Sequence, residues 1–176
     1  DWGKSAVLVG ITWHPLFGAV MPDVLNLSTG APFQPFNRSP QIRYQYKANS
    51  RVQLTASVLW QLQYLSSGPK GMSEDYIKNS CIPEMFVGAD FTPADGWLMG
   101  LGAHMISLKP RTSTEWKELT FKVNERMTAF SYEAHLKYSG RNYTFAAKTL
   151  MASALDHTAL LGGYGVSSVD SRTGEQ

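Results

Sequence analysis

The sequence predicts an all-β fold, a meander of antiparallel hairpins of the kind that forms a transmembrane β-barrel. Three observations predict it. First, Arg51–Ser66 alternates: Val52, Leu54, Ala56, Val58, Trp60, Leu62 and Tyr64 stand against Arg51, Gln53, Thr55, Ser57, Gln61 and Gln63, with Leu59 intruding. Successive side chains of a strand point to opposite faces, so one face is apolar and the other polar. Second, the connections alternate long and short, as the loops and turns of outer-membrane barrels do. Third, aromatic residues flank the short turns on the apolar face: Tyr46, Phe91, Trp97, Tyr138 and Tyr143. Such rings collect at a membrane–water interface because they tolerate one apolar and one wet side.

Each element follows from the same period. Ser5–Trp13 sets Ser5, Val7, Val9, Ile11 and Trp13 against Ala6, Leu8, Gly10 and Thr12. A long connection over 14–40 carries Pro15, Pro22, Pro32, Pro35 and Pro40 and no period. Gln41–Lys47 alternates Ile42, Tyr44 and Tyr46 with Arg43, Gln45 and Lys47, and a tight turn at Ala48-Asn49-Ser50 leads into Arg51–Ser66. After the polar, Gly/Ser/Lys-rich connection 67–82, Pro83–Thr92 returns with Met85, Val87, Ala89 and Phe91 opposite Glu84, Phe86, Gly88 and Asp90. Pro93-Ala94-Asp95-Gly96 is a turn by composition. Trp97–Leu108 then carries Trp97, Met99, Leu101, Ala103 and Met105 outward and Gly100, Gly102 and His104 inward.

Connection 109–125 holds one short alternating piece, Leu119, Phe121 and Val123. Met127–Ser139 sets Phe130, Tyr132, Ala134, Leu136 and Tyr138 against Ala129, Ser131, Glu133, His135 and Lys137. Gly140-Arg141-Asn142 turns the chain into Tyr143–Leu155. Leu160–Val166 could pass for an eighth strand, but the long–short rule makes 156–176 a loop. Seven strands remain, an odd number, so the sequence is expected to be one domain that forms part of a larger barrel.

Composition narrows the function classes. Lys+Arg 16 against Asp+Glu 14 is too balanced for a nucleic-acid groove. Ser5–Pro22 is the longest uncharged run, but its Pro15, Pro22, Gly10, Gly18 and His14 argue against a membrane-spanning helix. The lone Cys81 forms no internal disulfide and reads as an inert thiol. His14, His104, His135 and His157 are dispersed without the spacing of a metal motif, so no metal or other cofactor is expected. Gly-x-Ser-x-Gly is absent, Gly100-Leu101-Gly102 starts no nucleotide fingerprint, and no catalysis is expected.

The segments Thr12-Trp13-His14-Pro15-Leu16-Phe17, Gly30-Ala31-Pro32-Phe33 and Arg38-Ser39-Pro40-Gln41-Ile42-Arg43-Tyr44 resemble the porin-like outer-membrane barrels of Bacteroides-type bacteria. These are more distantly similar to the DcaP-like trimeric channels. The resemblance implies a bacterial outer-membrane location, lipid around the wall, a homo-trimer, and passive passage of small hydrophilic solutes or ions. A soluble all-β ligand-binding barrel or sandwich is the alternative.

On the channel reading, parity assigns Arg43, Gln45, Lys47, Arg51, Gln53, Thr55, Ser57, Gln61, Glu84, Asp90, His104, Glu133, His135 and Lys148 to the pore lining. Arginine at Ser57 or Ser131 would then be mild. The 14–40 loop either folds inward, with Asp23, Gln34, Asn37 and Arg38 at a constriction, or latches over the rim through Phe33 and Phe36.

Overall fold

The computed structural model describes residues 3–18, 20, 34–116 and 119–161. One meander dominates it. Strands β1 (Ser5–Trp13), β2 (Arg38–Lys47) and β3 (Val52–Leu59) are followed by a two-residue pair, β4 (Ser67–Gly68) and β5 (Gly71–Met72). A short helix α1 (Asp75–Ser80) precedes β6 (Glu84–Phe91) and β7 (Trp97–Leu108). A small hairpin of β8 (Ser113–Trp116) and β9 (Leu119–Lys122) leads to β10 (Met127–Ser139) and β11 (Thr144–Met151). Single 3-10 turns lie at Pro15–Phe17 and Asp156–Thr158.

The main sheet has seven strands in the order β1-β2-β3-β6-β7-β10-β11, each pair antiparallel. The fold is therefore antiparallel β, as the alternation predicts. No described helix is long and apolar enough to cross a membrane. Among the described residues, β1 and β11 have no partner strand on their outer edges. Because neighbours are antiparallel, the short turns after β2, β6 and β10 all lie at one end. The long connections lie at the other.

Register puts the predicted polar set on one face. Arg43 pairs with Ser57, Ser57 with Phe86, Phe86 with His104 and His104 with Ser131. Two rows nearer the turns, Lys47 pairs with Gln53, Gln53 with Asp90, Asp90 with Gly100, Gly100 with His135 and His135 with Lys148. At the long-connection end, described parts of the chain's own connections cover this face. The opposite face is open and apolar: Val9 is 74% exposed, Ile11 62%, Val87 57%, Leu101 67% and Met151 64%.

Glycines fit the covered face. A Cβ at Gly102 would stand 2.7 Å from the Phe86 ring and 2.9 Å from Glu133, and one at Gly88 would stand 2.8 Å from Phe86. Phe86 thus lies across a surface that only glycine leaves bare.

Two small apolar clusters seal the long-connection end. Leu16, Leu59, Phe86 and Leu155 form one, with Leu150 and Leu160 against it. Tyr76, Ile77, Ile106, Leu108 and Ala129 form the other, with Trp60 and Ala154 against it.

The structure corrects the sequence reading in three places. β3 ends at Leu59, not Ser66. Trp60 N still donates to the Pro40 carbonyl, but on the other side the ladder reaches Pro83, which has no N–H to give. Gln61 therefore leaves the sheet and bonds Ser66 through both its amide atoms. Connection 67–82 is not plain loop, since Tyr76 and Ile77 bury one side of α1. Arg38 belongs to β2 rather than to the 14–40 loop. Of the proposed eighth strand, only Leu160 and Leu161 fall within the described residues, and neither is in a strand.

Candidate functional site

Four fully covered side chains meet at the long-connection end of the covered face. Glu84 opens β6, His104 lies near the end of β7, His14 follows β1, and His157 sits in the 3-10 turn after β11. His14 Nε2 and His104 Nε2 each lie 2.6 Å from Glu84 Oε1, and His157 Nε2 lies 3.1 Å from it. None of these side chains is exposed.

Hydrogen bonding fixes one tautomer. The Leu16 amide donates to His14 Nδ1 at 3.2 Å, so the His14 proton sits on Nε2 and points at the carboxylate. By contrast, Glu84 Oε2, His104 Nδ1 and His157 Nδ1 are buried without a hydrogen-bond partner among the described residues. Burial lowers the His14 pKa below its usual value, overcoming the attraction of Glu84 and helped by the neighbouring imidazoles. For His157 burial also acts downward, but Glu84 and Asp156 outweigh it and raise the pKa.

This junction ties distant segments together. Asn37 Nδ2 donates to the His157 carbonyl at 2.9 Å, and Phe36 N donates to the Thr158 carbonyl at 2.7 Å. Lys148 on β11 donates to the carbonyls of Leu16 and Phe17. The described start of the 14–40 connection thus lies over the covered face.

Towards the short turns the same face opens into a cavity of about 360 Å³, bordered by His14, Arg43, Gln53, Asp90, Glu133 and His135. His135 lies between two carboxylates, 3.2 Å from Asp90 Oδ1 and 3.2 Å from Glu133 Oε2. Lys148 is 3.8 Å from Glu133. Arg43 donates to Gln41 Oε1 and, at 2.7 Å, to the Trp13 carbonyl. Both signs of charge therefore share the wall.

Of the residues predicted to line a pore, Arg43, Gln45, Gln53, Thr55, Asp90, Glu133 and His135 border this cavity. Lys47 and Arg51 are exposed at the first short turn. Ser57 shares the face but is covered, and Glu84 and His104 belong to the buried cluster instead. Gln61 is in a loop.

The described constriction candidates, Gln34, Asn37 and Arg38, are not gathered into a ring. Gln34 and Asn37 are buried and brace backbone carbonyls. Arg38 lies 4.2 Å from the centre of the Trp13 ring. Asp23 and Phe33 lie outside the described residues. Phe36 packs on Trp13 and Phe17.

The predicted interface aromatics share the short-turn end. Tyr46, Phe91, Trp97 and Tyr143 are exposed. Tyr138 packs between Trp97 and Tyr143 with tilted rings, their centres at 4.8 and 5.6 Å.

Sequence reasoning missed the His–Glu cluster because its members are 20 to 73 positions from Glu84. The available signal was topological. His14, Glu84 and His157 each adjoin a long connection, and His104 is near one. Comparisons with protein-family models, curated proteins and solved structures gave no match.

Proposed function

We propose that this chain forms wall of a transmembrane β-barrel in a bacterial outer membrane, passing small hydrophilic solutes or ions along its polar face. The observation that carries the reading is the inversion of the sheet. Its open face is apolar, from Val9 and Ile11 through Val87 to Leu101 and Met151, while its covered face holds Arg, Gln, Asp, Glu, His and Lys. A water-soluble sheet places these the other way round. Two further features support it. The main strands run from eight to thirteen residues, against the roughly 9–11 that span a bilayer. The aromatic residues collect at the short-turn end.

The reading requires that the outer edges of β1 and β11 be paired, since an unpaired edge is not tolerated in lipid. The porin resemblance adds the expectation of a homo-trimer.

The test is conduction. The complete barrel, with the edges of β1 and β11 paired, should form channels when reconstituted in planar bilayers. Lys47→Gln with Arg51→Gln, both exposed at the short-turn mouth, should shift the reversal potential in a salt gradient towards cations, most clearly at low salt. A membrane-inserted protein that forms no channels overturns the proposal. An unchanged reversal potential at low ionic strength removes these two side chains from the conducting path.

A further inference from the structure

We propose that Glu84, His104 and His157 bind a divalent transition-metal ion of the zinc class, with His14 as the residue that positions the carboxylate. Imidazole suits Zn²⁺, Cu²⁺ and Ni²⁺, whereas Mg²⁺ and Ca²⁺ prefer oxygen shells. Two imidazoles with one carboxylate form a known zinc donor set. Here both imidazoles close on one carboxylate oxygen, His104 Nε2 and His157 Nε2 lying 2.6 and 3.1 Å from Glu84 Oε1, and the two rings must draw together to share an ion.

His14 is equally close, and with Glu84 and His157 it makes a compact group whose donor atoms lie within 4.8 Å of one another. Its tautomer sets it apart. The Leu16 amide occupies Nδ1, so Nε2 keeps the proton and has no lone pair for a metal. That N–H serves the carboxylate instead, as outer-shell donors to ligating groups do. His104 and His157 carry no such constraint. Their Nδ1 atoms are unpartnered, so the ring proton can move there; the Nε2 bond to Glu84 is then given up, and the ion takes the place of the proton between nitrogen and carboxylate.

A second observation points the same way. Glu84 Oε2 is buried with no partner among the described residues, and a bare buried carboxylate oxygen is costly. An ion held by both carboxylate oxygens satisfies it and completes four donors. The site is closed, which suits a structural ion. Its ligands come from β6, β7 and the turn after β11. Occupancy would fasten that turn, and through the Asn37 amide the start of β2, to the sheet wall. The cavity reaches the cluster at His14, which provides an approach.

The experiment uses folded full-length protein in detergent, stripped with chelator and then given Zn²⁺ alone. Elemental analysis after gel filtration should find one zinc per chain, and the Tm should rise with zinc. Glu84→Gln and His157→Gln should lose stoichiometric uptake. His14→Gln should keep the site and weaken it about 10–100-fold. Because Glu84→Gln could fail to fold, Co²⁺ added to the stripped wild type gives a readout free of variants, namely the visible bands of a low-coordinate N/O site. Folded wild type that takes up no zinc and shows no cobalt bands overturns the proposal. So does His157→Gln that folds and binds zinc as tightly as wild type. Neither outcome bears on conduction, which is measured separately.

Discussion

An arginine on the open face of β6 separates a lipid-facing wall from a soluble sheet. Val87 is the fourth of eight residues in β6 and is 57% exposed. At a rise of about 3.4 Å per residue the strand is about 27 Å long. Tilted by about 40°, it covers about 20 Å of an apolar band about 25 Å tall, so Val87 sits near mid-depth. Val87→Arg should then cost about 2–4 kcal/mol. That is about 30- to 700-fold in the folding equilibrium.

The control belongs on the other face. Ser57 and Ser131, mild sites on the sequence reading, are unsuitable because the long connections cover them. Ser57 is 5% exposed, and Ser131 bonds the backbone of Ser153 through its hydroxyl. Gln53 borders the open cavity instead, and Gln53→Arg should stay within about 0.5 kcal/mol. Reversible urea unfolding in lipid vesicles, followed by tryptophan fluorescence and by gel mobility with and without boiling, reads both variants. If Val87→Arg cost no more than Gln53→Arg, the open face would not meet lipid and the barrel reasoning would fail.

Two further outcomes follow from backbone geometry. Gly102→Ala should lose about 1–3 kcal/mol in the same assay because its Cβ meets Phe86 and Glu133, and Phe86→Leu in the double variant should recover part of the loss; strictly additive effects would show that the ring is not what forbids a side chain there. Cys81 ends α1 in the left-handed region, at φ 56°, so Cys81→Gly should stabilise the protein by about 1 kcal/mol, and a loss of stability would mean that the contact of its thiol with the Lys78 carbonyl outweighs the strain.

The strands were legible because alternation is a local property that burial of one face enforces. Trp97–Leu108 and Met127–Ser139 begin and end where the period does. The period misleads only where alternation outlasts pairing. Trp60, Leu62 and Tyr64 continue the pattern of β3, yet the ladder there meets Pro40 and Pro83. Helix α1 was invisible because six residues give too little of a 3.6-residue period to register. The parity of Glu84 and His104 could be read, and it put them correctly on one face. Their meeting with His14 and His157 could not, because it depends on two loop segments folding back over the sheet. Parity tells which face a side chain takes, not what lies above it.

That folding back also says how the sheet is shaped. Seven strands at about 4.8 Å spacing would put β1 and β11 about 29 Å apart if flat. Yet Lys148 on β11 donates to the carbonyls of Leu16 and Phe17, a few residues beyond the end of β1. From Trp13 to Leu16 the chain reaches about 10 Å at most, and the lysine side chain adds about 6 Å. With a hydrogen bond of about 3 Å the span is about 20 Å, well short of the flat width. The sheet must therefore curl, bringing its edges together on the polar side. Curvature of this sense leaves the apolar face convex. A sandwich buries its apolar face against a second sheet, and the polar side here is the concave one, which the described start of the 14–40 connection overlies. A convex apolar wall around a polar hollow is the arrangement a barrel wall in lipid requires, so the curl supports the barrel reading independently of the aromatic residues and the loop rule.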